Sequence, residues 1–314
     1  MRVFGLNVGG DGESEEARLR REASQRSLEQ GGLPLNAIDR LREQAQRQGT
    51  PGHCFTSDLS VSELALIGQA GYVPLGQVMG SSMYHIGWQY MPTGYNWSSS
   101  SGELAVLTEA FYQARHLALG RLQQEAALLN ATGVVGVRLE RKEYGWGKSM
   151  LEFAAIGTAI REKDVDPNPN AQPFLSDLSG QEFWMLRQSG FRPVGIAVGN
   201  CTYYCVPNWR TRNATSGGLL GGSWQNQELR DFTQAVYEAR SLAMGRMENE
   251  ARAVHAVGIV GADVEVDVEP REVEVSNNNS RMDMIYHFTA IGTAIAPFAG
   301  RWPVFSVTNV VSLK

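Results

Sequence analysis

Two segments of this chain are near copies of one another. Glu103 to Gly120 reads ELAVLTEAFYQARHLALG and Glu228 to Gly245 reads ELRDFTQAVYEARSLAMG, with ten identities in eighteen positions and no gap. Unrelated amphipathic helices do not match to that degree. The chain is therefore read as a tandem duplication, and each copy must fold into the same small unit.

The copies can be followed in register. Ser60-Val61-Ser62-Glu63 and Ser179-Gly180-Gln181-Glu182 have the form of a capping box, in which hydroxyl and carboxylate satisfy each other's orphan backbone donors. Gly71 and Gly190 then stand where a left-handed helix cap belongs. The offset between copies is 119 here and 125 from the long helix onward, so the second copy gains six residues in the intervening polar loop. Tyr72 to Gly87 and Phe191 to Val206 read as strands, with Gly76, Gly80, Gly195 and Gly199 marking bulges or close backbone approach. The helices place Leu104, Leu107, Phe111, Ala118, Leu122 and Leu129 on one stripe, matched by Leu229, Phe232, Val236, Ala243, Met247 and Val254. Gly133 and Gly258 are expected to end them. Alternating strands follow at Val134 to Glu140 and Ile259 to Glu265, then a hairpin, short around Gly145 to Lys148 and ten residues longer in copy two around Asn277 to Asn279. The return strands FAAIGTAI (153–160) and FTAIGTAI (288–295) differ at one position in eight.

The expected fold is α+β: two tandem copies of an antiparallel sheet plus a long helix. Copy one spans residues 55–163 and copy two 174–296, joined by a proline-rich linker at 164–173. Residues 1–54 carry a glycine-rich start and a charged helical hairpin, with seven acidic and seven basic residues between Glu13 and Gln48. Its apolar content is too thin for an independent core, so it is expected either to dock on a partner surface or to remain a solvated appendage. The tail 297–314 contains Pro303-Val304-Phe305-Ser306, which parallels Pro173-Phe174-Leu175-Ser176 and reads as the opening strand of an uncompleted third copy, suited to a sheet edge.

Composition excludes several function classes. With 33 acidic against 28 basic residues there is no chain-wide positive field for nucleic acid. No apolar run reaches the roughly 20 residues that span a bilayer, and three cysteines make no disulfide framework. A cytoplasmic setting is expected.

Each half resembles the YbjQ-like family, also described as heavy-metal-binding domains. The resemblance rests on the A-R-x-L-A-x-G helix (Ala114 to Gly120, Ala239 to Gly245), the V-x-G or I-x-G after the helix (Val134 to Gly136, Ile259 to Gly261) and the G-T-A strand (Gly157 to Ala159, Gly292 to Ala294). It implies assembly into a five-membered ring. Five is odd and each chain brings two copies, so the expectation is five chains with first copies in one ring and second copies in another, or else a mixed ring with an even number of units.

Chemistry is sparse. No histidine is shared between the copies, and no serine or cysteine nucleophile pairs with a histidine in both. Metal candidates reduce to Cys201, Cys205 and His85, gathered by oligomer symmetry if at all, since two thiols about 13 Å apart along a strand cannot chelate one ion. No cofactor is expected beyond a divalent heavy metal on that route. The residues repeated on the helices, Arg115, Gly120 and Glu125 with Arg240, Gly245 and Glu250, are candidates for packing between subunits. Gly120 and Gly245 cost helix stability and so suggest a place where another backbone crosses closely. The sequence thus points to a non-enzymatic, self-assembling scaffold or compartment protein. Its partner would be itself, with further protein contacts through the hairpin or the loops 93–102 and 211–227, each carrying a tryptophan (Trp97, Trp224). A heavy-metal-binding or metal-sensing protein is the alternative.

Overall fold

The computed structural model describes residues 14–85, 100–143, 150–165, 171–215, 226–276 and 279–298. Trp97, Trp224, the turn at 145–148, Asn277-Asn278, the middle of the linker, the glycine-rich start 1–12 and the tail strand at 304–313 lie outside them.

Helices α1 (Glu15–Glu29) and α2 (Leu35–Arg47) form the N-terminal hairpin, followed by α3 (Val61–Gln69), β1 (Tyr72–His85) and the two-residue β2 (Gly102–Glu103). Then come α4 (Ala105–Leu128), β3 (Gly133–Glu143), β4 (Met150–Glu162) and the short β5 (Phe174–Leu175). Copy two supplies α5 (Gly180–Gln188), β6 (Phe191–Cys205), α6 (Trp209–Thr215), α7 (Arg230–Ala253), β7 (Gly258–Ser276) and β8 (Asn279–Pro297). The fold is α+β, with two four-stranded sheets in the orders β1-β4-β3-β5 and β2-β6-β8-β7. All pairs are antiparallel except β3 with β5.

Local chemistry explains the elements. Ser60 with Glu63, and Ser179 with Glu182, each close a reciprocal capping box on α3 and α5. Gly71 and Gly190 take φ of 87° and 80° at the helix ends, where a side chain would be strained. The long helices stop earlier than the glycines suggested. Asn130 and His255 hold the left-handed turn at φ 58° and 56°, and Gly133 and Gly258 already open the strands. Asparagine tolerates that conformation because its short polar side chain bonds locally. A further difference lies in the loop beginning at Thr211, whose start is part of α6: Asn208 Oδ1 accepts from the amides of Arg210 and Thr211 and caps that turn.

Each long helix lies on its own sheet, and the close crossing falls on strand glycines. A Cβ on Gly80 would sit 2.0 Å from the Ala118 carbonyl oxygen, and one on Gly199 1.9 Å from that of Ala243. Gly120 and Gly245 instead have no neighbour within 4 Å among the described residues, so no other described backbone of the same chain crosses them.

The hairpin is not a solvated appendage. Leu33 and Leu41 are buried in the core of the first unit with Leu122 and Leu129. Arg121 donates to the carbonyls of Gly32 and Leu28, Gln48 to that of Leu129, and Arg40 pairs with Glu125. A few leucines suffice because they complete an existing core rather than build one.

Candidate functional site

The two units trade strands. β5, from the start of copy two, joins β3 of the first sheet at Gly133↔Phe174 and Val134↔Leu175. β2, from copy one, joins β6 of the second sheet at Gly102↔Tyr204 and Glu103↔Tyr203. The seam between units is therefore bonded through backbone in both directions, and the sequence boundary at 173/174 runs through a sheet.

On one side of the seam copy two inserts aromatic groups into copy one. Phe183, on α5, is fully buried among Ile67, Tyr72, Val135 and Ile160. Its ring meets that of Tyr72 edge-on at 5.2 Å. Phe174 covers Gly133 so closely that a Cβ there would strike its ring. The motif behind this is Phe-x-Ser-Asp-Leu-Ser, present at 55–60 and 174–179. In each copy the serine hydroxyl meets the threonine of that copy's G-T-A strand, Ser57 with Thr158 at 3.2 Å and Ser176 with Thr293 at 3.0 Å. Thr158 also donates to Asp58 and Thr293 to Asp177. Burial pushes the Asp177 carboxyl up to about 6, against the opposing pull of the Thr293 bond.

On the other side α4 lies against β6. The Thr108 hydroxyl accepts from the amide of Thr202, and the Thr108 carbonyl accepts from Asn200. Arg115 is 2% exposed. It donates to Asn200 Oδ1 at 3.2 Å and lies over the Phe153 ring at 5.2 Å, while its Nε has no hydrogen-bond partner among the described residues. Burial lowers its pKa to about 10. Next to it, Glu250 takes the Tyr112 hydroxyl, the Val198 amide at 2.7 Å and His116 Nε2 at 3.0 Å. Burial alone would raise this carboxyl, yet the bonds from His116, Tyr112 and Val198 hold it below its ordinary value. Arg246 donates to the Asn200 carbonyl and to Glu103. A cleft of about 490 Å³ opens beside this cluster, lined by His116, Gly120, Phe174, Ile196 and Glu250 among others.

The predicted residues are thus divided. Arg115, Gly120 and Glu250 come together at the seam. Glu125 faces the hairpin, and Arg240 is exposed on α7. Cys201 and Cys205 are buried on β6 beneath α7, with burial pushing their thiols up to about 12 and about 11, the wrong direction for a thiolate ligand. His85 sits exposed at the end of β1 in the other sheet. No group of three or more histidine, cysteine or carboxylate side chains placed to hold a metal occurs among the described residues. The arrangement locks one unit onto the next. Sequence reading missed Tyr112, Glu103, Arg246, Asn200 and the Phe-x-Ser-Asp-Leu-Ser motif. The motif and the matched Arg121 and Arg246 were visible as internal identities. No helix among the described residues is long and apolar enough to cross a membrane.

Comparison with known proteins gives a family and several relatives. The family described as "Putative heavy-metal-binding", YbjQ-like, matches residues 93–163. A Mycobacterium tuberculosis protein named as an encapsulin nanocompartment protein is 43% identical over 210 residues, covering 66% of this chain and 76% of that one. A UPF0145 protein of Thermoplasma acidophilum is 35% identical over 71 residues, covering 23% of this chain and 58% of its own length. A UPF0145 protein of Clostridium perfringens is 36% identical over 64 residues, covering 20% and 58%. No solved structure matches the chain.

Proposed function

This chain belongs to the YbjQ-like (UPF0145) family, and from that premise we propose that it is a non-enzymatic, self-assembling protein whose homo-oligomer serves as a scaffold or compartment component. The observation that carries the reading is the strand exchange across the seam, because each unit offers a giving face and a receiving face. Such heterologous contacts repeat from unit to unit and form a ring where the rotation between units closes. The relative named as an encapsulin nanocompartment protein supports a compartment setting, and three free thiols fit the cytoplasm.

Two geometries were expected for the oligomer. Five chains with first and second copies in separate rings would need the copies to be held mainly by their linker. The side-by-side seam favours the other geometry, a ring in which the two copies alternate and the number of units is even. The alternative function, a heavy-metal site gathered by symmetry, has against it two buried thiols whose protons are held tightly. Elemental analysis after dialysis, with Cys201→Ser as control, would revive it if one metal per chain were found and lost in the variant.

Mass in solution tests the main reading. At micromolar concentration the full chain should sediment as a multiple of its 34.5 kDa, and a single 34.5 kDa species contradicts self-assembly.

A further inference from the structure

The seam inside the chain is a template for a contact between chains, and its two unmatched halves sit at opposite ends. Copy two's giving face is the outer side of α7, where Tyr237 and Arg240 correspond to Tyr112 and Arg115. Tyr237 is 65% exposed, whereas Tyr112 is engaged with Glu250. Copy one's receiving face is the β1 side of α4, where Ser81, Arg121 and Glu125 correspond to Asn200, Arg246 and Glu250. Phe55 and Leu64 lie beside it at 37% and 38% exposure, although their equivalents Phe174 and Phe183 are packed into the seam.

That receiving face is already occupied, and the hairpin reproduces two of the seam's bonded positions, those of Glu250 and Arg246. Glu250 accepts from the Val198 amide and from groups of α4; Glu125 accepts from the Met79 amide at 2.9 Å and from Arg40 of α2 at 3.1 Å. Arg246 donates to the Asn200 carbonyl and to Glu103 of the other unit. Arg121 donates to the Ser81 carbonyl at 2.6 Å and to the hairpin carbonyls of Gly32 and Leu28 at 3.1 and 3.2 Å. Leu41 of α2 fills the apolar ground between them. One surface, used twice, is covered once by a neighbouring unit and once by a segment of the same chain.

We infer that the outer face of α7 docks on the β1–α4 face of a second copy of this chain, and that the hairpin α1–α2 is a plug competing with it for that face. The inference rests on the self-assembly proposed above and assigns its contact. On docking, the Tyr237 hydroxyl would take Arg40's place on Glu125, and Arg240 would lie over Ser81. Phe55 and Leu64 of the receiving chain would reach toward the β7 edge of the giving one, as Phe174 and Phe183 do for β3. Because Ser81 stands where the seam has Asn200, and Ala154 where it has Thr289, the contact between chains has fewer polar partners than the contact within one. It is the weaker joint, and the one open to control.

The test compares wild type, Arg40→Glu and Tyr237→Ala as full chains by sedimentation across concentration, with hydrogen exchange of residues 35–47 measured in dilute and concentrated samples. Both substituted side chains are mostly solvent-exposed, so the fold is preserved, which circular dichroism checks. Arg40→Glu sets two carboxylates against each other and should lower the midpoint concentration of assembly at least ten-fold. Tyr237→Ala should raise it at least ten-fold, and residues 35–47 should lose protection as assembly proceeds. Assembled wild type with neither midpoint moved, or with the hairpin still protected, overturns the inference and leaves self-assembly standing. A 34.5 kDa species for all three chains at every concentration overturns both.

Discussion

Glu125 and Glu250 occupy the same place in the two copies and are held in opposite ways. Burial raises the Glu125 carboxyl above its ordinary value, the Met79 amide and a mostly exposed Arg40 countering only part of that cost. Glu250, somewhat more open at 18% side-chain exposure against 6%, is drawn below its ordinary value by three partners. The difference lies in what covers the residue. Copy two is covered by a neighbouring unit that supplies Tyr112 and His116 to its carboxylate, and copy one by a short hairpin that supplies a single, mostly exposed cation. A surface satisfied by its own kind is locked; one satisfied by a substitute is poised.

The largest expected effect should be the same in both units. Gly199→Ala and Gly80→Ala each drive a Cβ into a helix backbone, and we expect a loss above about 4 kcal/mol in urea melts, the range of severe overpacking and strain. Near-neutral behaviour of either would refute the close crossing. Next, Phe183→Ala should cost about 3–5 kcal/mol as a buried aromatic truncation, while its equivalent Leu64→Ala should stay within about 0.5 kcal/mol in the dilute chain. Equal losses would mean that the two faces are alike after all.

Asp177→Asn isolates a pH effect. Its native pKa, raised by burial to about 6 from 3.8, means that the folded state binds the proton more tightly. That contribution is fully present below about pH 4 and is lost as pH rises through 6, amounting to at most roughly 3 kcal/mol. Thermal melts of wild type should lose this component between pH 4 and 6, and the asparagine variant should lack it. The difference between the two curves removes the opposite trend of Glu250, whose lowered pKa contributes stability that is lost as pH falls. Parallel curves would show that Asp177 is not buried as described. The smallest change is Gly120→Ala, expected to stabilise by up to about 1 kcal/mol through helix propensity, since nothing described crowds it. A large loss would indicate a crossing partner from another chain.

Much of the fold was legible because it is written twice. Capping boxes, strand glycines and the apolar stripe of α4 depend on nearest neighbours in the chain, and copying made them visible. In α7 the stripe was misread, since the buried positions are Ala235, Ala239, Ala243, Met247 and Ala251 while Val254 is 43% exposed. The destinations of β2 and β5 were not legible, since a two-residue strand carries no periodicity and its sheet is chosen by tertiary contact. Helix ends were misplaced because Asn130 and His255 adopt a conformation that glycine was expected to supply. Whether the hairpin docks was not legible for a related reason: apolar content measures whether a segment can fold alone, not whether it can complete a neighbour's core. Of the seam, Arg115 and Glu250 were visible as repeats. Tyr112 and His116 were not singled out, because what makes them matter is the carboxylate they meet across 138 and 134 residues of chain.

The most direct measurement is an electron-microscopy image of the purified full chain at micromolar concentration. Closed particles with an even number of units in a single layer are predicted, the two copies alternating around the ring. Isolated two-unit particles, or two stacked layers of five, would contradict it.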